Sequence, residues 1–161
     1  MTWLYIQENG NIYDWRGQIW AQAHSGFGRN LNWTASQCIK NRGPIPVNHW
    51  RLHSMYNTGP EGEPWRENPY RGSNPFLKKN RFIIYLMPLN IPGTCGRDGF
   101  YIHGKGRGDG VGASKGCIIL EPEWRRESMY RSGDRDLLVM AHDPFLYPEL
   151  GHEHNNTEGD T

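Results

Sequence analysis

Long apolar runs are scarce in this chain. The longest, Phe82 to Met87, is far too short for a helix that crosses a bilayer, which takes about 20 residues. Residues 1–8 have neither the basic start nor the apolar stretch of an export leader. The expectation is a protein made in the cytoplasm, with any export left to something other than a standard leader. Charge of one sign is also lacking: 18 Lys and Arg face 17 Asp and Glu, a formal net charge of +1. The arginines are scattered and no basic run forms a phosphate-tracking stripe, which argues against nucleic acid as a partner. Cysteine is sparse, at Cys38, Cys95 and Cys117. An odd number leaves one thiol unpaired or all three reduced. A Cys38–Cys95 disulfide and three free thiols both fit the sequence, and in either case Cys117 is the one expected to stay free.

Rings and turn residues fill the place of aliphatic residues. Apolar residues make up only 36%, but seven Trp, eight Tyr and five Phe can supply much of the buried area. The 20 Gly and 11 Pro predict many turns and little helix. Trp3 to Ile6 and Ile12 to Trp15 flank Glu8-Asn9-Gly10, which reads as a hairpin with a type I′ turn. Further strands are expected at Gln18 to His24, Trp50 to His53, Arg81 to Met87, Phe100 to His103, Cys117 to Leu120 and Asp136 to Ala141. Pro122 to Arg131 reads as a short helix, since proline suits a first helical turn. Residues 55–80, rich in Pro, Gly, Asn and charge, read as a long surface loop, where Trp65, Tyr70 and Phe76 form a lid or anchor the loop to the core. The expected fold is mainly β, a sandwich or open barrel with one short helix and long loops. It forms a single domain over 1–150, followed by a tail at 151–161 with nothing to bury.

The chemistry concentrates between Phe100 and Leu120. His103-Gly104 ends one apolar run, and Ser114-Lys115-Gly116-Cys117 opens another, with a glycine-rich loop between them. Thiol catalysis needs a nucleophile, a base and donors for an oxyanion. Cys117 is the candidate nucleophile and His103 the candidate base. Gly116 removes side-chain bulk beside the thiol, and Ser114 shapes the turn. A buried structural thiol is the plainer reading of Cys117 taken alone. His24 reads as a turn cap or as a group near the substrate. His49 and His53 alternate with Trp50 and Leu52 and so share one strand face, but no third ligand has suitable spacing, and no metal or cofactor is expected.

On these residues the chain resembles the L,D-transpeptidase catalytic domain (YkuD-type), whose motif is His-Gly, a spacer, then Ser/Thr-His-Gly-Cys. His103-Gly104 matches the first part, and Ser114, Gly116, Cys117 and Ile118 match the second. The resemblance is closer to the type VI secretion L,D-transpeptidase effectors, which carry Ser-x-Gly-Cys-Ile. Their Ser-Gly and Gly-Pro-Ile-Pro blocks have counterparts in Ser25-Gly26-Phe27-Gly28 and Gly43-Pro44-Ile45-Pro46. Lys115 stands where the larger family has His, Ile119 where it often has Arg or Asn, and Asn48 where the subfamily usually has Gly. The resemblance implies peptidoglycan stem peptides as substrate, with Cys117 attacking the carbonyl of diaminopimelate and expelling the terminal D-Ala. Its products would be those of an L,D-carboxypeptidase or a D-amino-acid exchanger. Arg97, Lys105, Arg107 and Asp109 would then meet the substrate's charges, or remain solvated loop residues. The resemblance also implies delivery by the secretion machinery to a target-cell periplasm, and a cognate immunity protein. A non-catalytic peptidoglycan-binding module on the same fold is the alternative.

Overall fold

The structure, a computed structural model, describes residues 2–56, 81–105 and 116–146. Among these, nine strands form one continuous sheet: β1 (Thr2–Ile6), β2 (Asn11–Tyr13), β3 (Ile19–Gln22), β4 (His24–Ser25), β5 (Asn48–Tyr56), β6 (Ile83–Pro88), β7 (Tyr101–His103), β8 (Ile118–Ile119) and β9 (Asp136–Met140). Their order is β3-β2-β1-β9-β5-β6-β7-β8-β4. The two outermost strands, β3 and β4, are consecutive in the chain and separated only by Ala23. The sheet must therefore curl until its edges nearly meet, and the result is a nearly closed barrel. Most neighbours are antiparallel; β1–β9 and β7–β8 are parallel.

Alternation along the strands sorts the residues between the barrel interior and its outer face. In β5, Asn48, Trp50 and Leu52 are buried, while His49, Arg51 and His53 are exposed. Trp50, Leu52, Ile84, Leu86, Ile102 and Ile118 belong to the interior core, where the Trp50 and Phe100 rings meet edge to face at 5.1 Å. A smaller cluster lies on the other face of the sheet, where Ile83 and Tyr101 pack with Tyr85 and Cys117. Helix α1 (Glu123–Arg131) packs across β5, β6 and β7. Its buried Arg126 donates to the carbonyls of Arg81, Phe82 and Leu120, tying the helix to the start of β6 and the end of β8. No helix among the described residues is long and apolar enough to cross a membrane.

Three local expectations are corrected. The β1–β2 connection is not a two-residue type I′ turn. Only Gly10 has positive φ, at 76°, and its N–H donates to Ile6 O at 2.8 Å across a longer loop. Asn9 contributes its side chain instead, accepting from Asn11 N–H and donating to the Asp143 carboxylate. Gln18 to His24 is not one strand but two, because the chain leaves one sheet edge at Gln22 and joins the other at His24. The strand expected at Trp50 to His53 runs from Asn48 to Tyr56, so residues 55 and 56 belong to it and not to the loop. The lid residues Trp65, Tyr70 and Phe76 lie outside the described residues, as do 151–161.

Candidate active site

The parallel pairing of β7 and β8 places the two candidate catalytic residues. Ile102 pairs with Ile118, and His103 with Ile119. Residues directly opposite each other share a face, and side chains on one strand alternate. His103, Ile119 and Cys117 therefore project on the same side, opposite to the interior Ile102 and Ile118. Cys117 packs there against the Ile83–Tyr101 cluster. His103 Nδ1 lies 2.6 Å from Gly104 O. A carbonyl only accepts, so Nδ1 carries the proton and the neutral ring has its lone pair at Nε2.

A platform built from three separate segments supports the nucleophile loop. Ser25 Oγ donates to Gly116 O and accepts from Ile45 N–H, both at 2.8 Å. The Gly43–Pro46 turn is gripped from other sides as well. Gln7 donates to Ile45 O at 2.8 Å, and Trp50 Nε1 to Pro46 O at 3.0 Å. The buried Arg97 guanidinium donates to Pro44 O at 2.8 Å, to Gly43 O at 3.0 Å and to Gln37 O, and lies over the Phe100 ring. The Cys38–Cys95 disulfide closes beside this cation. Cys38 follows Gln37, and Cys95 precedes Arg97 by two residues.

The electrostatics of Cys117 follow from that position. Burial pushes its thiol up to about 12, and the neighbouring Arg97 charge pulls the other way. Arg97 is itself lowered by burial but, as an arginine, keeps its charge. The thiol is thus protonated at neutral pH, with a fixed cation beside the sulfur. The Cys117 thiol also lies 3.8 Å from Gly99 O.

The other expected site residues are distributed unevenly. His24 pairs with Ile119 across β4–β8, so His24, Ile119 and His103 form one row across three strands. It is a strand residue, not a turn cap. Gly104 is buried, and Lys105 is exposed with its backbone N–H on Glu121 Oε1 at 2.6 Å. Ser114, Lys115, Arg107 and Asp109 lie outside the described residues. His49 faces Asp136, and the His53 ring meets Tyr85. Sequence reasoning did not see Ser25 as the bridge from Gly116 to Ile45, nor Arg97 as a buried cation. A Ser-Gly turn and a Gly-Arg-Asp segment carry no local mark of such long-range contacts.

Residues 20–141 match the Tlde1 domain. The chain belongs to the Tlde1 family. This is the type VI secretion L,D-transpeptidase effector family, and its domain is YkuD-like. No curated protein matches the chain. The matched span starts in β3 and ends just after β9, so the β1–β2 hairpin lies outside it although β1 is hydrogen-bonded to β9. Membership of the Tlde1 family implies L,D-transpeptidase-like activity on peptidoglycan and a role as a delivered effector.

Proposed function

We propose that this Tlde1 domain is a cysteine L,D-carboxypeptidase and D-amino-acid exchanger of peptidoglycan tetrapeptide stems, with Cys117 as nucleophile and His103 as base. The observation that carries this reading is the β7–β8 register: Cys117 lies two residues before Ile119, the partner of His103, so the two side chains are diagonal neighbours on one face. Because burial keeps the thiol protonated, proton transfer to His103 Nε2 accompanies attack rather than preceding it. The new Sγ–C bond forms as the amide C–N bond breaks, and His103 returns the proton to the departing D-Ala amine. Arg97 offsets the negative charge that passes through the sulfur. In this mechanism backbone N–H groups beside the thiol receive the oxyanion, a contribution of roughly 10²–10³ in rate per donor. Water then releases a tripeptide, or a D-amino acid restores a tetrapeptide with a new end. In the family setting the substrate lies in the target-cell periplasm, and a cognate immunity protein covers the cleft in the producer.

Purified protein incubated with muropeptides should convert tetrapeptides to tripeptides, and to exchanged tetrapeptides when a D-amino acid is added. The Cys117→Ala variant should leave the tetrapeptides untouched; the same product profile from that variant would sink the proposal. The raised pKa of the half-buried thiol favours a second reading, a wall-binding module without catalysis. Binding to sacculi without product, together with a Cys117 inert to alkylation at neutral pH, would select it. Toxicity of periplasm-directed protein, relieved by a co-expressed neighbouring gene product, tests the immunity partner.

A further inference from the structure

We propose that His24 and Lys105 form a carboxylate subsite that holds the terminal D-amino acid, both as it leaves the stem and as it enters in exchange. The proposal rests on the L,D-cleavage reading for its substrate, and on its own geometry for its place.

His24 lies in the row His24–Ile119–His103 on the face that carries Cys117. It is partly buried, and its Nε2 is shut off from solvent with no hydrogen-bond partner among the described residues. An orphaned polar atom in such a position costs free energy unless a ligand satisfies it. Lys105 follows His103 by two residues at the exit of β7. Its backbone N–H is held by Glu121, and its charge acts on His24. Burial and then the Lys105 charge lower the His24 pKa, the response of an imidazole beside a cation with no anion between them. The described residues pair neither group with a carboxylate; Glu121 is directed at the Lys105 backbone and at Arg126.

The spacing suits one residue of substrate. Cys117 and His24 are diagonal neighbours across β8 and β4, about 7–8 Å apart at Cα. The carboxylate carbon of a terminal D-amino acid lies about 4 Å beyond the scissile carbonyl carbon by standard bond lengths. With that carbonyl over Cys117, the carboxylate falls between the sulfur and the His24–Lys105 pair. Exchange is the reverse of acylation with a different amine, so the same subsite serves both directions. Occupied by a D-amino acid, it also keeps water from the thioester.

Two measurements on the full chain test this. The His24 ring resonances are followed by NMR during titration with D-alanine and with D-alaninamide, which need no turnover. D-Alanine should shift them and the amide should not; equal responses, or none, would overturn the subsite. Cleavage is then compared for a tetrapeptide with a free terminal carboxylate and for its carboxamide. Wild type should prefer the acid, and His24→Ala or Lys105→Ala should reduce that preference about ten- to hundredfold, with partial recovery in His24→Gln. An unchanged ratio in folded variants would also overturn it. If wild type cleaves neither substrate, the L,D reading fails by itself and the D-alanine titration still decides the subsite.

Discussion

Gly116 occupies a place with no room for a side chain. Its φ is +121°, and a Cβ there would lie 2.4 Å from Arg97 Nη2 and 2.8 Å from Phe100 Cε1. The strained backbone alone costs about 1–3 kcal/mol for a residue other than glycine, and the clash pushes against a guanidinium fixed to three carbonyls. Gly116→Ala should lower the thermal midpoint and abolish muropeptide turnover, whereas Cys117→Ala should abolish turnover with little change in the melt. Parallel melting and turnover assays separate the two. At this scale residue type and spacing singled out His103 and Cys117, and the β7–β8 register sets the two on one face. Arg97 was not legible in this way. Between Gly96 and Asp98 it looks like any solvated loop charge, and only the fold brings the carbonyls of Gln37, Gly43 and Pro44 around it.

The β1–β2 hairpin and the chain after β9 are joined by one carboxylate. Asp143 is fully buried and accepts from Asn9, Asn11 and Tyr13 side chains and from the backbone N–H groups of Phe145 and Leu146. Burial works to raise its pKa, but these hydrogen bonds outweigh it and hold it below the ordinary carboxylate range. A depressed folded value means stability that is present above the unfolded pKa, about 4, and lost as pH falls through the folded one. The melting midpoint should therefore drop below about pH 4. Asp143→Asn should melt lower at neutral pH and lose less on acidification, as a melt series across pH would record. The sequence placed the hairpin correctly, from its Asn-Gly and flanking apolar residues. It did not reveal the loop geometry, because Asn9 spends its side chain on a residue 134 positions away. Nor did the run from Gln18 to His24 mark its own break. That break answers to barrel closure, which no local pattern encodes.

For the molecule as a whole, the Cys38–Cys95 bridge links segments 57 residues apart. Closing a loop of that length restricts the unfolded chain by about 4 kcal/mol. The bridge also sets Gln37 and Arg97 relative to each other, and through Arg97 the floor beneath Gly116 and Cys117. Reductant should lower the wild-type midpoint and its muropeptide turnover together. The Cys38→Ser/Cys95→Ser double variant should start from the lower values and ignore reductant. If reduced wild type turned over substrate as fast as the oxidised protein, the bridge would stabilise the fold without ordering the site.

Ala23 has a consequence of another kind. Its N–H donates to Gly10 O at 2.8 Å, and its own carbonyl fills the space where a Gly10 Cβ would sit. At that single residue the chain passes from one border of the sheet to the other, which holds the two borders close together there. Exposed borders are where β proteins aggregate. A nick or insertion at Ala23 would turn a self-contained molecule into one with two adhesive rims, and would release the strand that carries His24. Solubility after cleavage at this seam thus reports on the same junction that holds the site together.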